Sequence, residues 1–292
     1  MSTILATRMR PVERSGRGAV AGGGSFAAYA VLAVLASFAI GPIVLFAVNS
    51  LKSQAELAQA PFGLPAAFRW ENYVQAWTQA AMGAGLRNSV IVVTGTVVGV
   101  CVISGCAAYA MARLNLPGAG AVMLYLLASS ALPIQLFLVP LFYLWTRLGL
   151  YDTQFGLVVI YWAVFSPFAT LLIRSFMVGI DREYEEAARL DGAGEIRILV
   201  SIVLPLAAPG FLTAALVTAL ASYNEFLLAL TFIQTDERMP VSIAFFSFQQ
   251  GYTQDYTLIS AAGVIMLLPM VICFLLLQRR FIAGYASSGL TG

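Results

Sequence analysis

Six long apolar runs, each close to the ~20 residues that a helix needs to cross a bilayer, leave this chain little choice of solvent. They lie at about 26–48, 88–111, 121–145, 155–177, 207–233 and 258–278. Of the 292 residues, 60% are hydrophobic and only 10% carry charge, against roughly 25% charged in soluble domains. No soluble core of this size hides so much apolar surface, so lipid must solvate most of it. With no water to satisfy the backbone there, the runs are expected as helices, and the fold class as all-α integral membrane. Pro42, Pro133, Pro140, Pro167 and Pro269 fall inside the runs. Membrane helices tolerate proline when neighbours re-satisfy the freed carbonyls, which predicts a packed bundle with kinks.

Orientation follows from arginine and lysine. With six spans and the N-terminus inside, the inner side holds Arg8, Arg10, Arg14, Arg17, Arg113, Arg174, Arg182, Arg189, Arg197, Arg279 and Arg280. The outer side holds only Lys52, Arg69, Arg87, Arg147 and Arg238. Both termini and the loop 181–205 are therefore expected in the cytoplasm. Residues 1–25, Arg- and Gly-rich, read as a flexible cytoplasmic tail. The run from Phe26 to Val48 is longer than a signal-peptide core and lacks a small-residue cleavage site, so it reads as the first span. Residues 49–87 form the long outer loop, with a short amphipathic helix near Glu71–Ala80. Its Trp70, Tyr73 and Trp77 suit either interface anchoring or a docking surface for a soluble receptor. The loop 234–257 also faces outside, and 279–292 form a cytoplasmic tail.

What is missing narrows the chemistry. There is no histidine, which removes His-based metal sites, catalytic triads and the usual proton shuttle. Cys101, Cys106 and Cys273 lie in apolar runs and read as small core residues. Lys52 is the only lysine and follows no phosphate-loop glycine pattern, so the chain cannot bind ATP in a Walker-type site. Net charge of +2, without a basic face, offers nothing to nucleic acid. An enzyme is not expected, and neither is a cofactor. If ATP is used, with its Mg, a partner chain must bind them.

Against this background the stretch Asp181–Pro205, DREYEEAARLDGAGEIRILVSIVLP, stands out by its charge. Asp181 suits a helix N-cap, and the acidic residues that follow complement the helix dipole. Gly192 and Gly194 break that short helix, and Pro205 marks where the chain bends into the next apolar run. Ala187 and Ala188 are small enough for another protein's surface to approach. A solvated interhelical loop would account for the composition equally well. The spacing says more. Glu186-Ala187-Ala188, Gly192, Ile202 and Leu204-Pro205 stand at the intervals of the EAA signature, and the segment resembles that of the permease subunits of binding-protein-dependent ABC importers. Asp181 stands where relatives usually carry Pro; an N-cap Asp starts a helix as well.

The fifth run carries a second feature. Glu225 is the only carboxylate well inside an apolar run, and exposing it to lipid would cost several kcal/mol. Thr218, Ser222 and Glu225 recur at i, i+4 and i+7, on one face of a continuous helix. Tyr223 and Asn224 add an aromatic ring and an amide. The stripe fits an interhelical hydrogen bond, or a polar lining for a solute path. Ser222–Phe232, SYNEFLLALTF, resembles the fifth-span motif of the maltose-type carbohydrate-uptake permeases, with Tyr223 in place of the usual Trp. Phe168–Phe176 and the ending RRFIAGYASSGLTG are similar to the same family, though the usual Lys near the terminus is absent.

The resemblance covers about Phe26 to Gly292 and implies a type I ABC importer permease fold. It implies a second homologous permease subunit, an ABC ATPase homodimer that binds ATP and Mg, an extracytoplasmic solute-binding protein, and the bacterial cytoplasmic membrane. It assigns Glu186, Ala187, Ala188, Asp191, Gly192, Ile202, Leu204 and Pro205 to ATPase coupling. Thr218, Ser222, Tyr223, Asn224 and Glu225 are candidates for the solute path. The solute would be a sugar or oligosaccharide, with glycerol phosphate also compatible. From another class, a proton-coupled secondary transporter could use Glu225 as its carrier.

Overall fold

The computed structural model describes residues 23–250 and 255–288. Residues 1–22 of the expected tail over 1–25, four residues of the loop 234–257 and the last four residues lie outside them, while 23–25 already belong to the first helix. By its contacts the chain resolves into two units, one through Leu45 and one from Phe46 onward; the packing below belongs to the second.

Every regular element among the described residues is helical. Helix α1 (Gly23–Asn49) carries Pro42 inside it. Short α2 (Gln54–Gln59) and α3 (Glu71–Gln79) follow, the latter where an amphipathic helix was expected. Lys52 organises the turn into them. Fully buried, its Nζ donates to Asn49 Oδ1 and to the carbonyls of Ala60 and Pro61 at 2.9, 2.9 and 3.3 Å.

Helix α4 (Met82–Arg113) and, further on, α7 (Gln154–Val178) are the central pair. They approach closely because α4 presents Gly95 and Gly99 on one face. The Trp162 indole of α7 donates to the Gly95 carbonyl at 2.9 Å. A Cβ at Gly99 would lie 2.0 Å from the same indole nitrogen.

Between them, the apolar run at 121–145 is not one straight helix. α5 (Ala119–Ala131) ends at Leu132, held extended (φ −75°, ψ 132°) by the Pro133 ring that follows it. A 3₁₀ turn (Ile134–Phe137) then leads into α6 (Leu138–Leu148), bent by 91° from α5. Pro140 sits in the first turn of α6, where its missing N–H costs nothing.

Beyond α7 come α8 (Glu183–Leu190), α9 (Glu195–Ile198), a π-helical segment (Leu199–Val203), α10 (Leu204–Leu206) and α11 (Ala208–Asn224). Pro205 and Pro209 supply no N–H, so the α-helical ladder cannot pass through them, and the chain bends by 77° before α11. The run read as one span over 207–233 is likewise interrupted. α11 stops at Asn224, and α12 (Leu227–Phe232) starts after Glu225 and Phe226.

The stretch read as an outer loop contains α13 (Val241–Gln250). Its start is buried, clamped by α4: Ser89 Oγ accepts the Val241 N–H, and the Asn88 amide donates to the Glu237 and Met239 carbonyls. Local composition could not show that tertiary clamp. Finally α14 (Tyr256–Ser288) continues as backbone helix through Arg279 and Arg280, further than the span at 258–278.

Four of these helices are long and apolar enough to cross a membrane; counting each bent pair as one span brings the number to six. Three apolar clusters hold the helices of the second unit together. Val92, Leu157, Tyr161 and Phe232 join α4, α7 and α12. Val100, Tyr109, Ile173, Ile198 and Ala214 join α4, α7, α9 and α11. Ala76, Met82, Tyr223, Val241 and Ala262 join α3, α4, α11, α13 and α14.

Candidate functional site

Helix α8 begins one residue later than an N-cap at Asp181 would place it. Arg182 takes the cap position, its carbonyl accepting from Glu185 and Glu186, with no side-chain cap. Its first turn carries Glu183, Glu185 and Glu186, as the dipole favours. The helix ends in a Schellman turn: Ala193 N–H donates to Ala188 O at 2.9 Å and Gly192 N–H to Arg189 O at 3.0 Å. That turn needs a left-handed residue, and Gly192 has φ +81°. Ala188 and Ala193 close it by packing on the cluster around Tyr109 and Ile198.

One face of the loop is tied inward. Glu185 is buried and its Oε1 lies 2.8 Å from Arg113 Nε at the end of α4, with side chains 3% and 2% exposed for Arg113 and Glu185. The approach is off the N–H direction, so it is a charge contact rather than an aligned hydrogen bond. Arg113 spends Nη2 on the Met177 and Ile180 carbonyls, at 2.5 and 2.7 Å, where α7 ends. Breaking such a buried pair by removing one partner costs about 3–5 kcal/mol, because a charge is left unpaired. Arg189 adds a second tie, donating to Glu195 at 2.8 and 3.1 Å, while Tyr109 OH donates to Glu195 Oε2 at 2.5 Å.

The opposite face is open. Glu186, Ala187, Asp191 and Gly192 are exposed, as are Tyr184, Ile196 and above all Leu190, at 90%. Of the remaining signature positions, Ala188 and Ile202 are half-buried, and Leu204 and Pro205 are exposed on α10. The loop is a short helix pinned to α4 on one side and offering apolar and acidic groups on the other. In the sequence Arg113 counts only as an orientation charge; a single arginine ending an apolar run carries no signal of its partner.

At the α11–α12 break the five candidate residues separate. Thr218, Ser222 and Tyr223 are buried, with Ser222 donating to the Thr218 carbonyl at 2.7 Å and Tyr223 OH to the Met266 carbonyl at 2.7 Å. Asn224 is exposed, and Glu225 half-buried. Because α11 stops at Asn224, Glu225 leaves the helical face shared by Thr218 and Ser222. Its carboxylate instead caps α12: Oε1 accepts the Leu228 N–H at 2.9 Å, and Oε2 accepts the Ala229 N–H at 3.0 Å. Tyr161 of α7, fully buried, donates to Oε2 at 2.7 Å. Nothing in an apolar run marks a tyrosine as that partner.

At the other end of α7, Asp152 locks a loop. Its carboxylate accepts from the Gln234 and Thr235 N–H groups, at 2.8 and 3.0 Å, and from Thr235 Oγ1, and it pairs with Arg238 at 3.3 Å. Partial burial opposes ionisation, yet these donors and the Arg238 charge together hold the Asp152 carboxyl below its ordinary range.

No group of three metal-ligating side chains occurs among the described residues. Residues 102–286 match the family described as binding-protein-dependent transport system inner membrane component. The chain is 35% identical to the diacetylchitobiose uptake system permease protein of Streptomyces coelicolor, over 89% of this chain and 87% of that protein. It is 33% identical to the sulfoquinovosyl glycerol transport system permease protein of Agrobacterium fabrum, over 86% and 88%. It is 31% identical to the trehalose transport system permease protein of Mycobacterium tuberculosis, over 90% and 97%. A crystal structure of a bacterial ABC transporter involved in import of the acidic polysaccharide alginate has a chain of the same fold. The TM-score is 0.76 at 22% identity, covering 88% of this chain and 96% of that one.

Proposed function

The chain belongs to the family of binding-protein-dependent transport system inner membrane components, and from that premise we propose that it is the permease subunit of an ATP-driven importer that moves a sugar or oligosaccharide by alternating access. Its companions in this reading are a second homologous permease, a pair of ABC ATPase subunits that bind ATP and Mg, and an extracytoplasmic solute-binding protein. It sits in a bacterial cytoplasmic membrane with six spans, each bent pair counting as one, and with both termini and the loop 181–205 on the ATPase side.

The observation that carries the reading is the two-sidedness of α8. Its inner face is fixed by Glu185 while Glu186, Ala187 and Leu190 are exposed, uncovered by any of the described residues. A helix held so is a lever: a partner that grips the outer face moves the whole loop, and the bundle passes between inward- and outward-facing states that different ligands favour. Asn224 and Glu225 at the α11–α12 break supply an amide and a carboxylate to the solute path, backed by Thr218, Ser222 and Tyr223.

The test is uptake into vesicles holding the complete complex, with labelled diacetylchitobiose and trehalose as probes. ATP inside the vesicles drives accumulation, and Ala187→Trp abolishes it while the protein stays in the membrane. Accumulation that an uncoupler stops and vanadate leaves untouched refutes the ATP-driven mechanism.

A further inference from the structure

Arg113 holds the end of α4, the end of α7 and helix α8 at a single point. The geometry points to the Arg113–Glu185 pair as the joint through which movement of α8 reaches the membrane helices, a positioning role that rests on the ATPase-coupling reading above. Besides the side-chain ties of Arg189 through Glu195 to Tyr109 and of Arg182 to the Ala112 carbonyl, α8 is connected along the chain by the Gly179–Arg182 link on one side and the π-helical segment at 199–203 on the other. Neither is a stiff connection. A four-residue link absorbs rotation in its backbone dihedrals, and a π-helical turn is a place where a helical ladder re-registers.

The pair bypasses both. Glu185 Oε1 meets Arg113 Nε at 2.8 Å in a place closed to water, and the Arg113 fork continues onto the carbonyls of Met177 and Ile180. A planar guanidinium engaged on several sides holds direction as well as distance, which a lysine ammonium would not. Since α4 and α7 are packed together along their length, a push at Glu185 is delivered to the pair as one body. The outer tie, Arg189 to Glu195 to Tyr109, returns to α4 one turn earlier and keeps α9 moving with α8. Glu186, next in sequence and exposed, faces the other way, so two adjacent carboxylates divide the work: one for the partner and one for the bundle.

The test uses the assembled complex in nanodiscs, with hydrogen exchange followed by mass spectrometry, and Mg-ATP with vanadate as the probe. In the wild type, trapping nucleotide changes exchange in α8 and also in α4 and α7. The double variant Arg113→Gln with Glu185→Gln removes both charges together, so no unpaired buried ion remains. There, trapping still changes α8, while the response of α4 and α7 is lost; Arg113→Lys, which keeps charge but not the fork, loses most of it. An undiminished α4 and α7 response in the double variant overturns the joint. So does absence of both variants from the membrane, which makes the pair a folding requirement only. If α8 itself does not respond in the wild type, the ATPase-coupling reading fails, and the joint fails with it for that separate reason.

Discussion

Replacing Gly192 isolates the energy of one backbone conformation. The residue sits at φ +81°, and a Cβ built on it meets nothing within 4 Å. Any cost of a side chain is therefore conformational rather than steric against neighbours. For an L-residue the left-handed region costs about 1–2 kcal/mol, less for Asn, whose side chain bonds locally, and more for a β-branched residue. A shift of that size changes a local opening equilibrium by about five- to thirtyfold. The amide of Ala193 reports it directly, because its bond to the Ala188 carbonyl exists only while the turn is closed. Hydrogen exchange at Ala193 is expected to accelerate in the order Gly, Asn, Ala, Val, with Gly192→Ala about five- to thirtyfold faster than wild type. ATP-driven uptake should fall in the same order if the turn sets the angle of the lever. Equal exchange in Gly192→Val and wild type, or an Asn variant as fast as Val, refutes the argument.

Three further outcomes follow from particular contacts. Gly99→Val places carbon where the Trp162 indole now lies, an overlap beyond the ~1–3 kcal/mol of ordinary overpacking, and should sharply reduce the amount of protein recovered from membranes; the double variant with Trp162→Ala should restore part of it. Tyr161→Phe removes one of the two donors to Glu225 Oε2, the Ala229 N–H remaining, and should lower stability by about 1.5–3 kcal/mol in thermal unfolding, the range for a hydrogen bond to a charged group, with Glu225→Ala lowering it further because the Leu228 and Ala229 amides are then uncapped. For Asp152, the folded carboxyl titrates below its unfolded counterpart. Its stabilisation is thus complete above the ordinary carboxylate range near pH 4 and lost as pH falls through the lower folded value. The melting temperatures of wild type and Asp152→Asn should therefore differ at pH 6 and converge towards pH 3, and a gap independent of pH counts against the cluster.

Much of the helical content was legible because hydrophobic runs of spanning length are a local property. The run at 155–177 and helix α7 agree to within a residue at each end. Breaks were harder to place. Proline at 133 and 205 announces a bend, but Glu225 breaks the fifth run without proline or glycine. It does so because a tyrosine on another helix and two amides downstream reward its carboxylate for leaving the helical ladder. The outer stretch held α13 for a similar reason, since the groups that fix its start come from α4, some 150 positions earlier.

The amino-acid order alone established the solvent, the helical class and the position of the charged turn with glycines at the end of its helix. Those properties depend on composition and on contacts within a few residues. Folding in three dimensions decided which of two neighbouring glutamates faces the bundle and which faces outward, and which arginine answers the buried one. Glu185 and Glu186 are the same residue type side by side. Only the position of Arg113, 72 residues earlier and carried there by the packing of α4 against α7, gives them opposite roles.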